Sequence, residues 1–532
     1  MNVSPRKLLT MISLVTALPL ARAETLREAV GQPAAVLYGS AITAGVVGGR
    51  DFDNTARVHL SLASPENDLK MAGLRPTQAS FDWTAGDKTV RWAHAAGQQV
   101  RGHTLVWHGS VPGWVSGGGF TAAQLQSVLY THIDTVAAHY RGQVFCWDVV
   151  NEAFNEDGSL SSTIWSDSPG IGYAGMGTRY IEEAFRRAAA ADPDAQLIYN
   201  DFTNETVNSK STAIYTMCQD FLNVNRARGP VPLHGVGFQM HVETSVDYSS
   251  MRANFQRFGA LGLNLQITEL DVRLPVDGNG NATAADLAAQ AETYWNILGV
   301  ALAIPQMKVI QSWGFTDAHS WIPAFFQGQG AALPFDTAYQ KKPAYWAIWN
   351  ALANQGEKLP VTAASDPLDI IADPLCSAGS ARRLLANAVS DFATFTVNVP
   401  NPGSWNVRVG LRRSADSGQV QCAVAPPAGA FTNLSTVKEG YASTPASVDF
   451  DLGNVTFATN GTASFRFTVT GKNAASSGYR VAVDYIRITP VSGNGNTPPP
   501  ITSIADQTVD QSGTHLHRRR CADRRQQPHR HG

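Results

Sequence analysis

Two glutamates close apolar runs that lie far apart in the chain: Glu152 ends Trp147-Asp148-Val149-Val150-Asn151-Glu152, and Glu269 follows Ile267-Thr268 and precedes Leu270-Asp271. A single glutamate after a strand is ordinarily a solvated loop residue, so neither would mean much alone. Two in the same kind of setting demand a shared role. Cleavage of a glycosidic bond supplies one, because it needs a protonated carboxyl to donate to the leaving oxygen and an ionised one to attack the anomeric carbon. The two roles require unlike surroundings. Glu152, beside apolar and neutral neighbours and facing a second carboxylate, is expected to hold its proton more tightly than a free glutamate. Glu269 is expected to stay ionised, with His241 backed by Asp271 as a candidate relay. Asn151 is placed to bond a sugar hydroxyl.

Something must bring these residues together. Eight β-branched, apolar runs are spaced along the first two thirds of the chain, at 36–42, 60–64, 100–106, 144–150, 196–200, 236–241, 265–269 and 309–313. Helix-compatible amphipathic stretches alternate with them, among them 122–140, 179–191, 211–225 and 284–303. Repeated βα units of this number predict a (β/α)8 barrel rather than an open doubly wound sheet, and polar and aromatic residues crowd the C-terminal ends of the runs, where barrel active sites are built. Taken singly, the remaining candidates have plain structural readings. His103 and His241 could be satisfied core histidines, Lys70 a surface charge, and Trp107 and Trp313 packing at the top of the barrel. Gly102 and Gly237 read as structural, permitting close strand packing.

Further segments sit at the ends of successive runs: Pro65-Glu66-Asn67-Asp68-Leu69-Lys70, Arg101-Gly102-His103-Thr104-Leu105-Val106-Trp107-His108, Tyr199-Asn200-Asp201, Gly235-Val236-Gly237-Phe238-Gln239-Met240-His241 and Trp313-Gly314-Phe315-Thr316-Asp317. In this order, with the two glutamate segments, they resemble glycoside hydrolase family 10, whose members are mostly endo-β-1,4-xylanases. The resemblance extends over residues 32–350. It implies that Glu152 is the acid/base and Glu269 the nucleophile of a retaining double displacement, with carboxyls about 5–5.5 Å apart. It further implies that His103, Trp107, Asn151, Gln239 and His241 line the sugar site beside the scissile bond, supported by Asp271. Glu66, Asn67 and Lys70 would grip the next sugar, Trp313 and Trp321 would wall these subsites, and Tyr199 would look toward the leaving-group side. Two departures from the family pattern are Leu69, where Met is common, and Ile322, where Arg often follows the second wall tryptophan. The implied function is a secreted endo-1,4-β-xylanase needing no metal or organic cofactor. The alternatives are another β-1,4-glycanase on the same barrel, a cellulase or mannanase, or a carbohydrate-binding protein without turnover.

The rest of the chain is consistent with that expectation. At 532 residues it exceeds what one core usually supports, so two folded units are expected. A net charge of −2 argues against a nucleic-acid surface and for an uncharged partner such as xylan or a related polysaccharide. Twelve tryptophans are generous, and flat aromatic faces suit the C–H faces of sugars, although core packing uses many of them. Arg6 and Lys7 precede a short apolar run that ends in Ala21-Arg22-Ala23, which reads as an export signal cleaved after Ala23, with residues 1–23 removed. We expect no membrane span and a monomer. The hydrolase domain is expected over 24–358 and a linker over 359–375. An antiparallel, jelly-roll-like β-sandwich is expected over 376–490, where Phe395, Val397 and Val399 alternate with polar residues, as do Trp405 to Leu411 and Phe465 to Val469. The sandwich resembles carbohydrate-binding modules, and an inert spacer is the alternative. Residues 491–532 read as a second linker and a tail in which a further domain is lost or frameshifted, rather than a basic binding arm. Cys376 and Cys422 could pair, whereas Cys146 and Cys218 read as buried thiols; no metal-binding Cys/His spacing occurs.

Overall fold

The computed structural model describes residues 25–30, 36–167, 170–353, 361–373, 375–376, 380–399, 402–434 and 436–491. The expected export signal and the tail beyond 491 lie outside them.

Eight parallel strands form the first domain: β1 Leu37–Ile42, β2 Leu62–Pro65, β3 Gln99–Val106, β4 Cys146–Asn151, β5 Gln196–Asp201, β6 Gly235–Phe238, β7 Asn264–Val272 and β8 Met307–Ser312. Each pairs with the next, and β8 pairs with both β7 and β1, so the sheet closes as a TIM barrel. Nearly every barrel-strand residue is buried, as expected of strands covered by helices outside and packed side chains inside. The outer helices carry local start signals. Thr121 caps Ala122–His139 by accepting from the Gln124 amide while the Gln124 side chain accepts from the Thr121 amide, a reciprocal capping box. Arg179–Ala191 presents Tyr180, Ile181, Ala184, Phe185 and Ala188 to the barrel and its arginines to the other face.

Two glycines are dictated by space. A Cβ on Gly102 would lie 2.2 Å from the Trp147 ring, and one on Gly237 would lie 2.2 Å from the Asn200 side-chain oxygen Oδ1. Both sit where neighbouring strands project a large or fixed side chain across the strand.

The barrel interior is not purely aliphatic. Arg101 is fully buried, and its guanidinium donates through Nε to Asp148 at 2.9 Å, again to Asp148 through Nη2, and to the Gln266 side chain through Nη1. Burial would raise the Asp148 carboxyl, but Arg101 and the hydrogen bond from His103 outweigh it and hold the group below the ordinary range.

The second domain is a sandwich of two antiparallel sheets. One contains Val361–Ala364, Phe392–Val399, Gly461–Lys472 and Gly418–Ala425; the other contains Leu368–Ala372, Ser380–Leu384, Val481–Pro490, Gly403–Arg413 and Ala446–Phe457. Phe395, Val397, Trp405, Val407, Val409, Phe465 and Phe467 point into its core, as their alternation requires. In Val481–Pro490 the register shifts where Tyr485 faces Gly410 and Val483 faces Leu411, so the buried series passes from Val481 and Val483 to Ile486 and Ile488. The expectation of a linker over 359–375 is corrected here. Val361–Ala364 and Leu368–Ala372 are edge strands, one in each sheet. Edge strands are short and one-sided, so Pro, Ser and Asp between their few apolar residues imitate linker composition. Against the barrel, Trp405 meets Trp346 edge to face at 5.6 Å, and Arg487 donates to Glu292 at 3.0 Å. Cys376 and Cys422 do not bond to each other: Cys376 packs with Ala381 and Ala482, while Cys422 belongs to the main apolar core. Among the described residues, no helix is long and apolar enough to cross a membrane.

Arg101→Met should leave Asp148 buried without its counter-charge and cost about 3–5 kcal/mol, read as a lower urea midpoint at unchanged slope. A midpoint equal to that of the wild type would show that the pair is dispensable.

Candidate active site

The C-terminal ends of the barrel strands open on a cleft of about 640 Å³. Its floor holds both glutamates. Glu152 is the residue after β4, at a φ of +58° that side chains other than glycine rarely adopt and that costs about 1–3 kcal/mol. Its amide donates to the Asn200 carbonyl at 3.0 Å, which anchors the turn. Three neutral N–H groups reach the Glu152 carboxylate: the Trp107 indole at 2.8 Å, the Asn151 amide at 2.9 Å and the Gln239 amide at 2.9 Å.

Glu269 is held differently. Asn200 on β5 donates to its Oε1 at 2.8 Å, and His241 lies 3.3 Å from its Oε2. The other nitrogen of His241 is 2.8 Å from Asp271, which also accepts from the Trp321 indole at 2.9 Å. Burial alone would lower His241, but Asp271 and Glu269 on its two sides push it up to about 10, so the imidazolium donates to both carboxylates. Burial would likewise raise Glu269, yet the hydrogen bond from His241 and the Coulombic influence of His103 and His241 outweigh it and hold the carboxyl below the ordinary range.

Two amides join the glutamates. The Asn200 Nδ2 that donates to Glu269 also donates to the Asn151 carbonyl oxygen at 2.9 Å, and Asn151 in turn donates to Glu152. Thr268 donates to the Asn200 side-chain oxygen at 2.7 Å, and Gly237 leaves just the space that oxygen needs, so the amide has one orientation. A methyl at position 237 would occupy this space and press on the side-chain amide that donates to Glu269.

On one side of the glutamates lie Glu66, Asn67 and Lys70. Lys70 donates to Asn67 at 2.9 Å and faces the Trp107 and Trp313 rings at 4.9 and 5.8 Å. Burial lowers the Lys70 ammonium against the pull of Glu269, Glu66 and Glu152, and burial raises Glu66. His103 is oriented by the bond between its Nδ1 and Asp148 at 2.9 Å and stands edge-on to Trp313 at 5.0 Å. The structure thus brings Glu66, Asn67, Lys70, His103, Trp107, Asn151, Glu152, Gln239, His241, Glu269, Trp313 and Trp321 to one cleft, with Asp271 directly behind it.

Tyr199 is the exception. It is fully buried and off the cleft, because alternate residues of a strand face opposite ways and Asn200 takes the cleft side. The expected role of Tyr199 on the leaving-group side is therefore corrected: Phe202, Thr203 and Glu205 from the loop after β5 line the cleft instead. Arg273, Phe325 and Phe326 also line it without having been anticipated. Asn200 stood within a recognised motif, and its strand-end position opposite Gly237 was the signal for its role.

The lowered Glu269 carboxyl contributes stability that is present above the ordinary glutamate range and lost as pH falls through the lower folded value. The contribution of His241 is full below about 6.5 and is lost as pH rises through about 10. His241→Asn should move the Glu269 titration upward, followed by NMR of the labelled carboxyl carbon; an unmoved titration would contradict the pairing.

A family model described as glycosyl hydrolase family 10 matches residues 25–351. Endo-1,4-beta-xylanase B of Thermotoga neapolitana is 40% identical over 298 residues, covering 56% of this chain and 82% of that protein. Endo-1,4-beta-xylanase A of Phanerodontia chrysosporium is 37% identical over 285 residues, 54% of this chain and 66% of that one. Among solved structures, xylanase 10B from Thermotoga petrophila RKU-1 in complex with xylobiose superposes with a TM-score of 0.58 at 39% identity, covering 63% of this chain and 98% of that one. The matched residues span the barrel, and the chain belongs to glycosyl hydrolase family 10, a family of retaining glycoside hydrolases.

Proposed function

We propose that the protein is an exported endo-1,4-β-xylanase that cleaves internal β-1,4 bonds of xylan through a covalent glycosyl-enzyme. The observation that carries this reading is the unlike treatment of two carboxylates in one cleft. Glu269 is ionised beside an imidazolium and an amide donor, which suits attack on an anomeric carbon. Glu152 is held by neutral donors alone, which suits a group that must gain and lose a proton. In the first step Glu269 attacks as Glu152 protonates the leaving oxygen; in the second, Glu152 removes a proton from water, which displaces Glu269. Two inversions give net retention. The substrate assignment is supported by the xylanase relatives and by the xylobiose held in one structural neighbour. An open cleft rather than a closed pocket suits attack within a chain.

Glu269→Gln should release sugar from xylan at least about a thousandfold more slowly than the wild type, and proton NMR of the wild-type reaction should show the β-anomer first. Retained activity in the variant, or the α-anomer first, would overturn the reading. Turnover of mannan or carboxymethyl cellulose above that of xylan would move the assignment to another β-1,4-glycanase. Export is tested by sequencing the protein from culture fluid, where Glu24 should be the first residue.

A further inference from the structure

Tyr199 left the cleft but did not lose contact with the site. Its hydroxyl oxygen accepts from the Ala153 amide at 3.0 Å, the peptide immediately after Glu152, and its proton is donated to Asp201 at 2.5 Å. Asp201 receives the Phe202 amide at 2.9 Å and the Lys210 ammonium at 2.9 Å. Tyr199, Asp201 and Lys210 are all fully buried. Lys210 lies 3.4 Å from the Phe202 ring, which faces the cleft.

The left-handed backbone of Glu152 makes this contact consequential. The Ala153 N–H orients the peptide plane after Glu152 and so constrains ψ there, which with the unusual φ of +58° sets the direction in which the Glu152 side chain leaves the backbone. The amide of Glu152 itself is fixed by the Asn200 carbonyl, so Tyr199 completes the clamp from the other side. Burial keeps water from substituting for the phenol oxygen. We propose that the Tyr199 hydroxyl, polarised by Asp201 and Lys210, is a positioning group for the acid/base, and that it serves proton transfer to the leaving oxygen rather than attack by Glu269. This rests on the reading of Glu152 as the acid/base.

A leaving group that departs unaided does not need that proton, which separates positioning of the acid from a general structural role. The test is kcat/KM of the wild type and Tyr199→Phe on phenyl and 2,4-dinitrophenyl β-xylobiosides, since this constant reports the first bond cleavage. The variant should lose about tenfold or more with the phenyl substrate and no more than about twofold with the dinitrophenyl one. Asp201→Asn should show the same selective loss at a smaller size, and it serves where Tyr199→Phe does not fold. Equal losses on both substrates, or no loss, would overturn the proposal while leaving the xylanase reading intact. A wild type inert on xylan and on both xylobiosides would overturn both.

Discussion

An ionised carboxylate withdrawn from water beside a second carboxyl is costly, and everything at the top of this barrel answers that cost. Glu269 is nearly inaccessible to solvent and remains charged because an imidazolium stands on one oxygen and a fixed amide on the other. The imidazolium is sustained by Asp271 at its far nitrogen together with Glu269 itself. Among the described residues, only neutral donors stand at hydrogen-bond distance from the Glu152 carboxyl. The difference between one barrel rim position and another is thus written in second partners, not in the glutamates themselves.

The barrel supplies these partners because its strands place consecutive side chains in register. Asn151 and Asn200 come from paired positions on β4 and β5, and Gly237 sits opposite Asn200 on β6. Register therefore converts strand pairing into a hydrogen-bonded floor running from one glutamate to the other. Below it, Arg101 neutralises Asp148, and Asp148 orients His103 in the cleft. Charge in the core and geometry in the site are one connected set of bonds.

Much of this was legible in the sequence, and the reasons differ by residue. The eight strands could be read because buried parallel strands are short apolar runs; Glu152 directly follows β4, whereas β7 continues past Glu269 to Val272. Tyr199 was misplaced because a motif gives neighbours without giving the side of the strand each one faces; Asn200 and Tyr199 differ by one residue and face opposite ways. Phe202 and Arg273 lie in loops, and Phe325 and Phe326 at the end of the short helix Ile322–Phe325, all placed by tertiary contacts that no local pattern encodes. The edge strands Val361–Ala364 and Leu368–Ala372 were hidden for another reason. They gain their structure from pairing partners elsewhere in the chain, Phe392–Val399 for the first and Ser380–Leu384 for the second, and their composition alone is that of a linker.

The account stands on two carboxylates acting upon one anomeric carbon, with Glu269 forming the bond. The most direct measurement is trapping with an activated 2-deoxy-2-fluoro β-xylobioside, followed by mass spectrometry of the digested protein. A single glycosyl adduct on the peptide containing Glu269 is the predicted result. An adduct on Glu152, or inactivation that leaves Glu269 unmodified, would contradict it.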